Sequence, residues 1–207
     1  MEFIKEREKV AAFMRRLYEQ KLTTASGGNV SLKIKDRILI TPSQIDKAKV
    51  VGEQIIVLNQ KGEAISQRHK KSMETGMHVA IYEKRPDINA IVHAHPVFAT
   101  SFAIAGKQIK TNFAGEARAV LGEPVLAEYA LMGTQQLANL VAEAALKSNA
   151  VLLQNHGIIT MGETLFQAYD RMEVLEASAR MTLITEMLGG SKDLTIDQLK
   201  EIDNLFI

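Results

Sequence analysis

His93 and His95 stand one residue apart, and a third histidine follows in Gln154-Asn155-His156-Gly157. Side chains at i and i+2 of a strand point to the same face, so His93-Ala94-His95 at a strand end can present two imidazoles to one ion without distorting the backbone. Gly157 lets the chain turn sharply beside the third. Three neutral imidazoles with an open position make a catalytic-zinc arrangement, because the vacancy admits a substrate oxygen. Nitrogen ligands also admit cobalt, manganese or iron. An H-x-H by itself equally describes two core histidines satisfied by hydrogen bonds. The third histidine and the absence of cysteine favour ligation of one divalent ion per chain. Glu74 has two readings: a carboxylate favoured by the dipole of the helix it opens, or a group that shuttles a proton on a substrate carbon beside a metal. His78, one helical turn further on, reads as structural or as a partner of the site.

Two loops could face an anion. Ser26-Gly27-Gly28-Asn29 offers backbone N–H groups, although most glycine-rich loops are simply turns. Thr41-Pro42-Ser43-Gln44 carries a free hydroxyl on Ser43 and flanks the same predicted hairpin, so both loops could share a ligand. The basic run Arg68, His69, Lys70, Lys71 is a solvated loop or a further anion contact.

These residues need elements to position them. Apolar residues at helical spacing from Phe3 to Tyr18 predict an amphipathic helix that stops at the turn-rich segment 22–29. Val30 to Ile34 and Arg37 to Thr41, about Lys35-Asp36, predict a hairpin, with a third strand from Gln54 to Leu58. A helix over about Ser72 to Lys84 would bury Met73, Met77, Ala80 and Ile81, with Ser72 as its N-cap. Asn89 to His95 reads as a strand, and Pro96 opens a helix ending near Gly106. The stretch Thr111 to Pro124 reads mostly as loop, and Val125 to Ala127 as a short strand. A helix follows Gly133-Thr134. Strands over Ala150 to Gln154 and Ile158 to Met161 flank His156-Gly157. The longest helix runs from about Glu163 to Leu188, stopped by Gly189-Gly190, and a tail helix covers Ile196 to Asp203. The sum over residues 1–207 is a single three-layer α/β/α domain with a mixed, largely antiparallel central sheet.

Composition narrows the function. An apolar fraction of 46% and a charged fraction of 24% are those of a globular chain. A net charge of +1 without a basic stripe excludes a typical nucleic-acid binder. No apolar run approaches a membrane span, and the charged opening Glu2 to Lys9 is unlike a signal peptide. The expectation is a soluble cytoplasmic protein with neither disulfide nor thiolate chemistry.

In this order, Gly27-Gly28-Asn29-Val30-Ser31, Ile40-Thr41-Pro42-Ser43, Ser72-Met73-Glu74, the stretch Arg85 to His95 and Gln154-Asn155-His156-Gly157 resemble the class II aldolase and adducin head-domain family, and within it the L-fuculose-1-phosphate aldolases. The resemblance runs from Glu8 to about Met187. It implies that His93, His95 and His156 hold zinc. Glu74 would be the catalytic acid/base, able also to occupy the metal's open position. Gly28, Asn29, Ser43 and Ser72 would hold a substrate phosphate. It further implies a homotetramer with active sites between subunits, acting as a lyase on a ketose 1-phosphate to give dihydroxyacetone phosphate and a small aldehyde such as L-lactaldehyde. Alternatives on the same scaffold are a pentulose-5-phosphate epimerase, a methylthioribulose-1-phosphate dehydratase or a decarboxylase. A non-catalytic adducin-like module would have lost its ligands, and here they are present. The sequence departs from the aldolase pattern at Gln44, where a glycine is usual, and at Met73, where a second serine is usual. An aldehyde-side tyrosine would fall near Phe113 or Ala114, and the tail residues Leu205-Phe206-Ile207 offer no tyrosine either.

Overall fold

The computed structural model describes residues 2–65 and 69–206. Arg68 of the basic run therefore lies outside the described residues. Seven strands form one sheet: β1 (Asn29–Ile34), β2 (Arg37–Ile40), β3 (Ile56–Asn59), β4 (Ala90–Ala94), β5 (Val125–Ala127), β6 (Ala150–Leu153) and β7 (Gly157–Gly162), in the order β3-β2-β1-β4-β7-β6-β5. Every pairing is antiparallel except β5 with β6 at one edge. The helices are α1 (Ile4–Glu19), α2 (Thr75–Lys84), α3 (Val97–Ala105), α4 (Gly115–Leu121), α5 (Gln135–Ala145), α6 (Leu165–Met187) and α7 (Ile196–Asp203). This is the expected three-layer domain with a mixed sheet.

Strand alternation divides the core in two. Val30, Leu39, Val57, Val92, Leu152 and Ile158 face one way, against α1, α3 and α6. Ile38, Ile40, Ile91, Val151, Ile159 and Met161 face the other way, against α2 and α5. Each such buried aliphatic side chain contributes about 1.5–3 kcal/mol. The same alternation decides where the polar residues go. His93 has the parity of Ile91, and Asn29 and Ser31 have the parity opposite to Val30. All three therefore face the layer of α2, the helix that follows Glu74. Register completes the placement: Asn29 lies directly opposite His93 across β1 and β4, and His93 opposite Ile159 across β4 and β7.

Four local expectations change. Helix α2 starts at Thr75, not Ser72, so Glu74 takes the cap position without a side-chain cap, and Met73 projects outward at 62% exposure. The Ser72 hydroxyl instead accepts from the Glu74 backbone N–H at 3.2 Å. Pro96 is the cap of α3 in an extended conformation, not its first helical residue. Residues Gly52–Gln54 form a 3-10 turn, which delays β3 to Ile56. Within 111–124 the chain forms α4, which packs on α6 and α7 and buries Ala117 and Leu121.

Candidate metal centre and active site

His93, wholly buried, is the penultimate residue of β4, His95 follows just beyond that strand, and His156 sits in the turn between β6 and β7. One ring nitrogen from each lies within 4.8 Å of the others. Two glycines make this approach possible. Gly28, at φ +67°, has no room for a Cβ, which would stand 2.6 Å from the His93 carbonyl oxygen. A Cβ on Gly157 would stand 2.8 Å from the Ala94 carbonyl oxygen and collide with the His95 ring. Asn155 makes the turn beside it in the left-handed region, φ 56°, which asparagine tolerates better than most residues.

The ring nitrogens show what the triad is built to hold. His93 Nδ1 bonds the Ile158 carbonyl oxygen at 2.8 Å, and since a carbonyl only accepts, Nδ1 carries the proton. That leaves Nε2 as the lone-pair nitrogen, with its orientation fixed, as a metal ligand requires. His93 Nε2 and His156 Nδ1 are buried without an aligned hydrogen-bond partner. Glu74 sends one carboxylate oxygen to within 2.8 Å of His156 Nε2 and the other to within 3.2 Å of His93 Nε2. Burial works against the Glu74 charge, but the charge and hydrogen bonds of His93 and His156 outweigh it and hold the carboxyl well below its ordinary range. Burial likewise opposes charge on His93, and Glu74 overcomes it, raising that imidazole. A carboxylate driven against buried imidazoles calls for positive charge among the rings, and a divalent cation meets that need. Burial, followed by the charges of His93 and His156, lowers His95 to about 3, so it stays neutral and ready to donate its lone pair. The donor set fits a divalent ion.

Glu74 is held from behind by a buried chain of hydrogen bonds. Asn29 Nδ2 donates to Glu74 Oε2 at 2.7 Å and to Ser72 Oγ at 3.1 Å. Asn29 Oδ1 lies 2.5 Å from His78 Nε2, and His78 Nδ1 lies 2.7 Å from Ser31 Oγ, itself 2.7 Å from Tyr82 OH. One assignment of protons satisfies the contacts from Ser31 to Glu74. Ser31 donates to His78 Nδ1, His78 Nε2–H to Asn29, and Asn29 to Glu74, so these donors point toward the carboxylate, while the Tyr82 hydroxyl stands between Ser31 Oγ and the Asn89 carbonyl oxygen at 3.3 Å. Glu74, His78 and Tyr82 share one face by their i, i+4 spacing. His78 is thus the partner of the site that its position one turn from Glu74 admitted.

In front of Glu74 opens a cleft of about 440 Å³, lined by Ser26, Gly27, Gly28, Asn29, Ser43 and Ser72 on one side and by Glu74, His95, Asn155 and His156 on the other. The two loops expected to share a ligand do meet here, and of the candidate site residues Gly28, Asn29, Ser43, Ser72, Glu74, His95 and His156 line this cleft while His93 completes the triad; His69, Lys70 and Lys71 line a different pocket. Gln44 adopts φ 57°, the left-handed region that a glycine would fill without strain. Neither Phe113 nor Ala114 lines the cleft, while Lys47, Thr24 and Met132, which no sequence pattern marked, do.

Three converging histidines beside a carboxylate, at the floor of an open cleft, make the donor set of a metal-dependent enzyme. The chain belongs to the Class II Aldolase and Adducin N-terminal domain family, which it matches over residues 8–183. It is 33% identical to 5-deoxy-D-ribulose 1-phosphate aldolase of Bacillus thuringiensis serovar kurstaki, over 98% of this chain and 95% of that one. It is 29% identical to 3-oxo-tetronate 4-phosphate decarboxylase of Haemophilus influenzae, over 96% of each. A solved L-fuculose 1-phosphate aldolase superposes with a TM-score of 0.91 at 30% identity, covering 100% of this chain and 97% of that one. The protein is a metal-dependent lyase of this family. No helix among the described residues is long and apolar enough to cross a membrane.

Proposed function

We propose that this enzyme is a zinc-dependent aldolase that cleaves a ketose 1-phosphate, such as L-fuculose 1-phosphate, into dihydroxyacetone phosphate and a small aldehyde such as L-lactaldehyde. The observation that carries the reading is the position of Glu74, between the histidine triad and a cleft walled by hydroxyl and backbone N–H donors. His93, His95 and His156 would hold the ion, which when bound supplies a Lewis acid for the ketone oxygen. Gly28, Asn29, Ser43 and Ser72 bind the phosphate and set the distance from it to Glu74. As the C3–C4 bond breaks, its electron pair stays on C3, the C4 hydroxyl proton passes to the Glu74 carboxylate, and the aldehyde leaves. Glu74 delivers a proton to C3. In synthesis, Glu74 removes that proton from dihydroxyacetone phosphate, and its carboxylate form suits this step. Asn29 and the chain behind it keep the carboxylate aimed.

The test is metal analysis of the purified protein followed by a screen of phosphorylated ketoses for aldehyde release. Aldehyde and dihydroxyacetone phosphate in equal amounts are the expected products. The likeness to the Haemophilus influenzae decarboxylase favours a second reading, loss of carbon dioxide from a phosphorylated keto acid at the same centre. Carbon dioxide release without aldehyde in the same screen would select it. The proposed assembly is a homotetramer, and the proposed location is the cytoplasm.

A further inference from the structure

Lys47 is an unusual lysine. It is 2% exposed, whereas lysine is almost never fully buried unless paired. It begins the 3-10 turn Lys47–Lys49, whose cap is the Asp46 carboxylate, accepting from Ala48 N–H at 3.0 Å. Among the described residues no carboxylate lies within 4.0 Å of its ammonium. Its one hydrogen bond there runs from Nζ to the Pro42 carbonyl oxygen at 2.5 Å. An ammonium has three donors, so this leaves two unused. The backbone N–H of Lys47 donates to the Ala25 carbonyl oxygen at 2.8 Å, which ties the turn to the other loop. Lys47 therefore sits where the 23–29 and 41–47 segments meet, and it lines the cleft beside Ser26, Gly28, Asn29, Ser43 and Ser72.

The other residues of that wall are neutral. A phosphate monoester brings a charge of about −1.5 to −2 at neutral pH into a cleft that already holds the Glu74 carboxylate. Neutral donors alone leave that charge unbalanced where water is scarce. The histidines that line the cleft belong to the triad and are not free to balance it. Lys47 is the remaining cationic side chain on the wall, buried, short of a counter-ion and short of hydrogen-bond acceptors. We propose that Lys47 is the charged contact of the phosphate subsite, its ammonium donating to the phosphate oxygens while Pro42 anchors it, so that it selects phosphorylated over unphosphorylated substrates. Burial pulls its ammonium down to about 8, with Glu74 working in the opposite direction, a balance that an arriving dianion would shift back toward full charge. The inference rests on the sugar-phosphate reading above.

The test measures inorganic phosphate affinity of the metal-loaded holoprotein by calorimetry and as competitive inhibition. The variants are Lys47→Gln, which keeps a donor for Pro42, and Lys47→Arg, which keeps the charge. Charge-assisted hydrogen bonds set the expected scale. Lys47→Gln should bind phosphate about 10–100-fold more weakly, raise KM for a phosphorylated ketose more than it lowers kcat, and keep its metal content. Lys47→Arg should recover part of the affinity. Phosphate affinity of folded Lys47→Gln within about threefold of wild type would overturn the role while leaving the sugar-phosphate reading standing. Wild-type holoprotein that binds no phosphate would remove both. If the neutral variant does not fold, reductive methylation of wild type decides. Saturating phosphate should slow methylation at Lys47 and leave Lys49, 85% exposed, unaffected. Equal rates at Lys47 with and without phosphate make it a structural tie between the loops and overturn the proposal.

Discussion

Glu74 accepts one hydrogen bond from Asn29 and contacts two imidazoles, so its role separates from its structural part by removing charge alone. Glu74→Gln should retain metal and lose about 10²–10⁴-fold in turnover, the usual weight of an acid–base group. Steady-state rates beside metal content on the same preparation check this, and a near wild-type rate would end the assignment. Chelation should abolish turnover, and readdition of zinc, cobalt or manganese should restore it. Activity that survives exhaustive chelation would refute a metal role. Gly28 is a poor place to probe phosphate, because any Cβ there pushes on the His93 carbonyl and so on the metal strand. Ser43→Ala is cleaner, since Ser43 lines the cleft and its backbone N–H is tied to the Lys70 carbonyl oxygen, not to a triad residue. Gln44 holds a left-handed conformation that costs a side chain about 1–2 kcal/mol. Gln44→Gly should therefore stabilise the protein by up to about 1 kcal/mol once glycine's greater unfolded-state entropy is counted. A thermal midpoint higher by about 2–4 °C is the readout, and a lower midpoint would show that Gln44 makes compensating contacts.

At the scale of elements, β1 and α2 together carry the hydrogen-bond chain that aims Glu74. His78 is held at about 3 by burial, with the His93 charge pushing the same way and Glu74 opposing. In the unfolded chain the same imidazole titrates near 6.5. Between these values the unfolded state binds a proton that the folded state refuses. Stability from this source is complete above pH 6.5 and is lost as pH falls toward 3. Urea midpoints at pH 7, 5.5 and 4 should fall steadily in wild type and fall less in His78→Gln, which cannot titrate. Equal slopes would mean that His78 does not set this dependence. Much of this was readable beforehand. The His93/His95 parity, the Lys35-Asp36 hairpin turn and the i, i+4 relation of Glu74 to His78 all follow from local periodicity. Helix α4 was not readable, because seven residues beginning with Gly115 give too few turns for an amphipathic pattern. Met73 was misplaced because its spacing fits α2, whereas the helix begins two residues later. Lys47 carried no signal, because its burial comes from two loops closing over it and no periodicity records that. Asn155 was visible as part of a motif, but its place on the cleft wall comes from the turn between β6 and β7.

For the whole molecule, the segment that brings Met132 to the cleft keeps apolar groups in solvent: Tyr129, Leu131 and Met132 are each more than half exposed. Among the described residues, neither Phe113 nor Ala114 lines the cleft. A homotetramer, as proposed, would supply that side from a neighbouring subunit. Light scattering should give four chains per particle, and a stable, fully active monomer would contradict the arrangement.

The central strand has one more consequence. β4 carries His93 and leads straight into His95, and it pairs with β1 and β7, segments far from it and from each other in sequence, while the third proposed ligand, His156, waits in the turn that starts β7. The ion's pocket thus exists only in a chain whose middle strands are zipped, and an unfolded chain cannot offer it. By mass action, free metal at a hundredfold over its dissociation constant would add about 2.7 kcal/mol to folding, or about 5–11 °C for a chain of this size. In a metal-starved cell, apo chains would then unfold more often and be degraded sooner, so the amount of enzyme would report metal supply through protein lifetime.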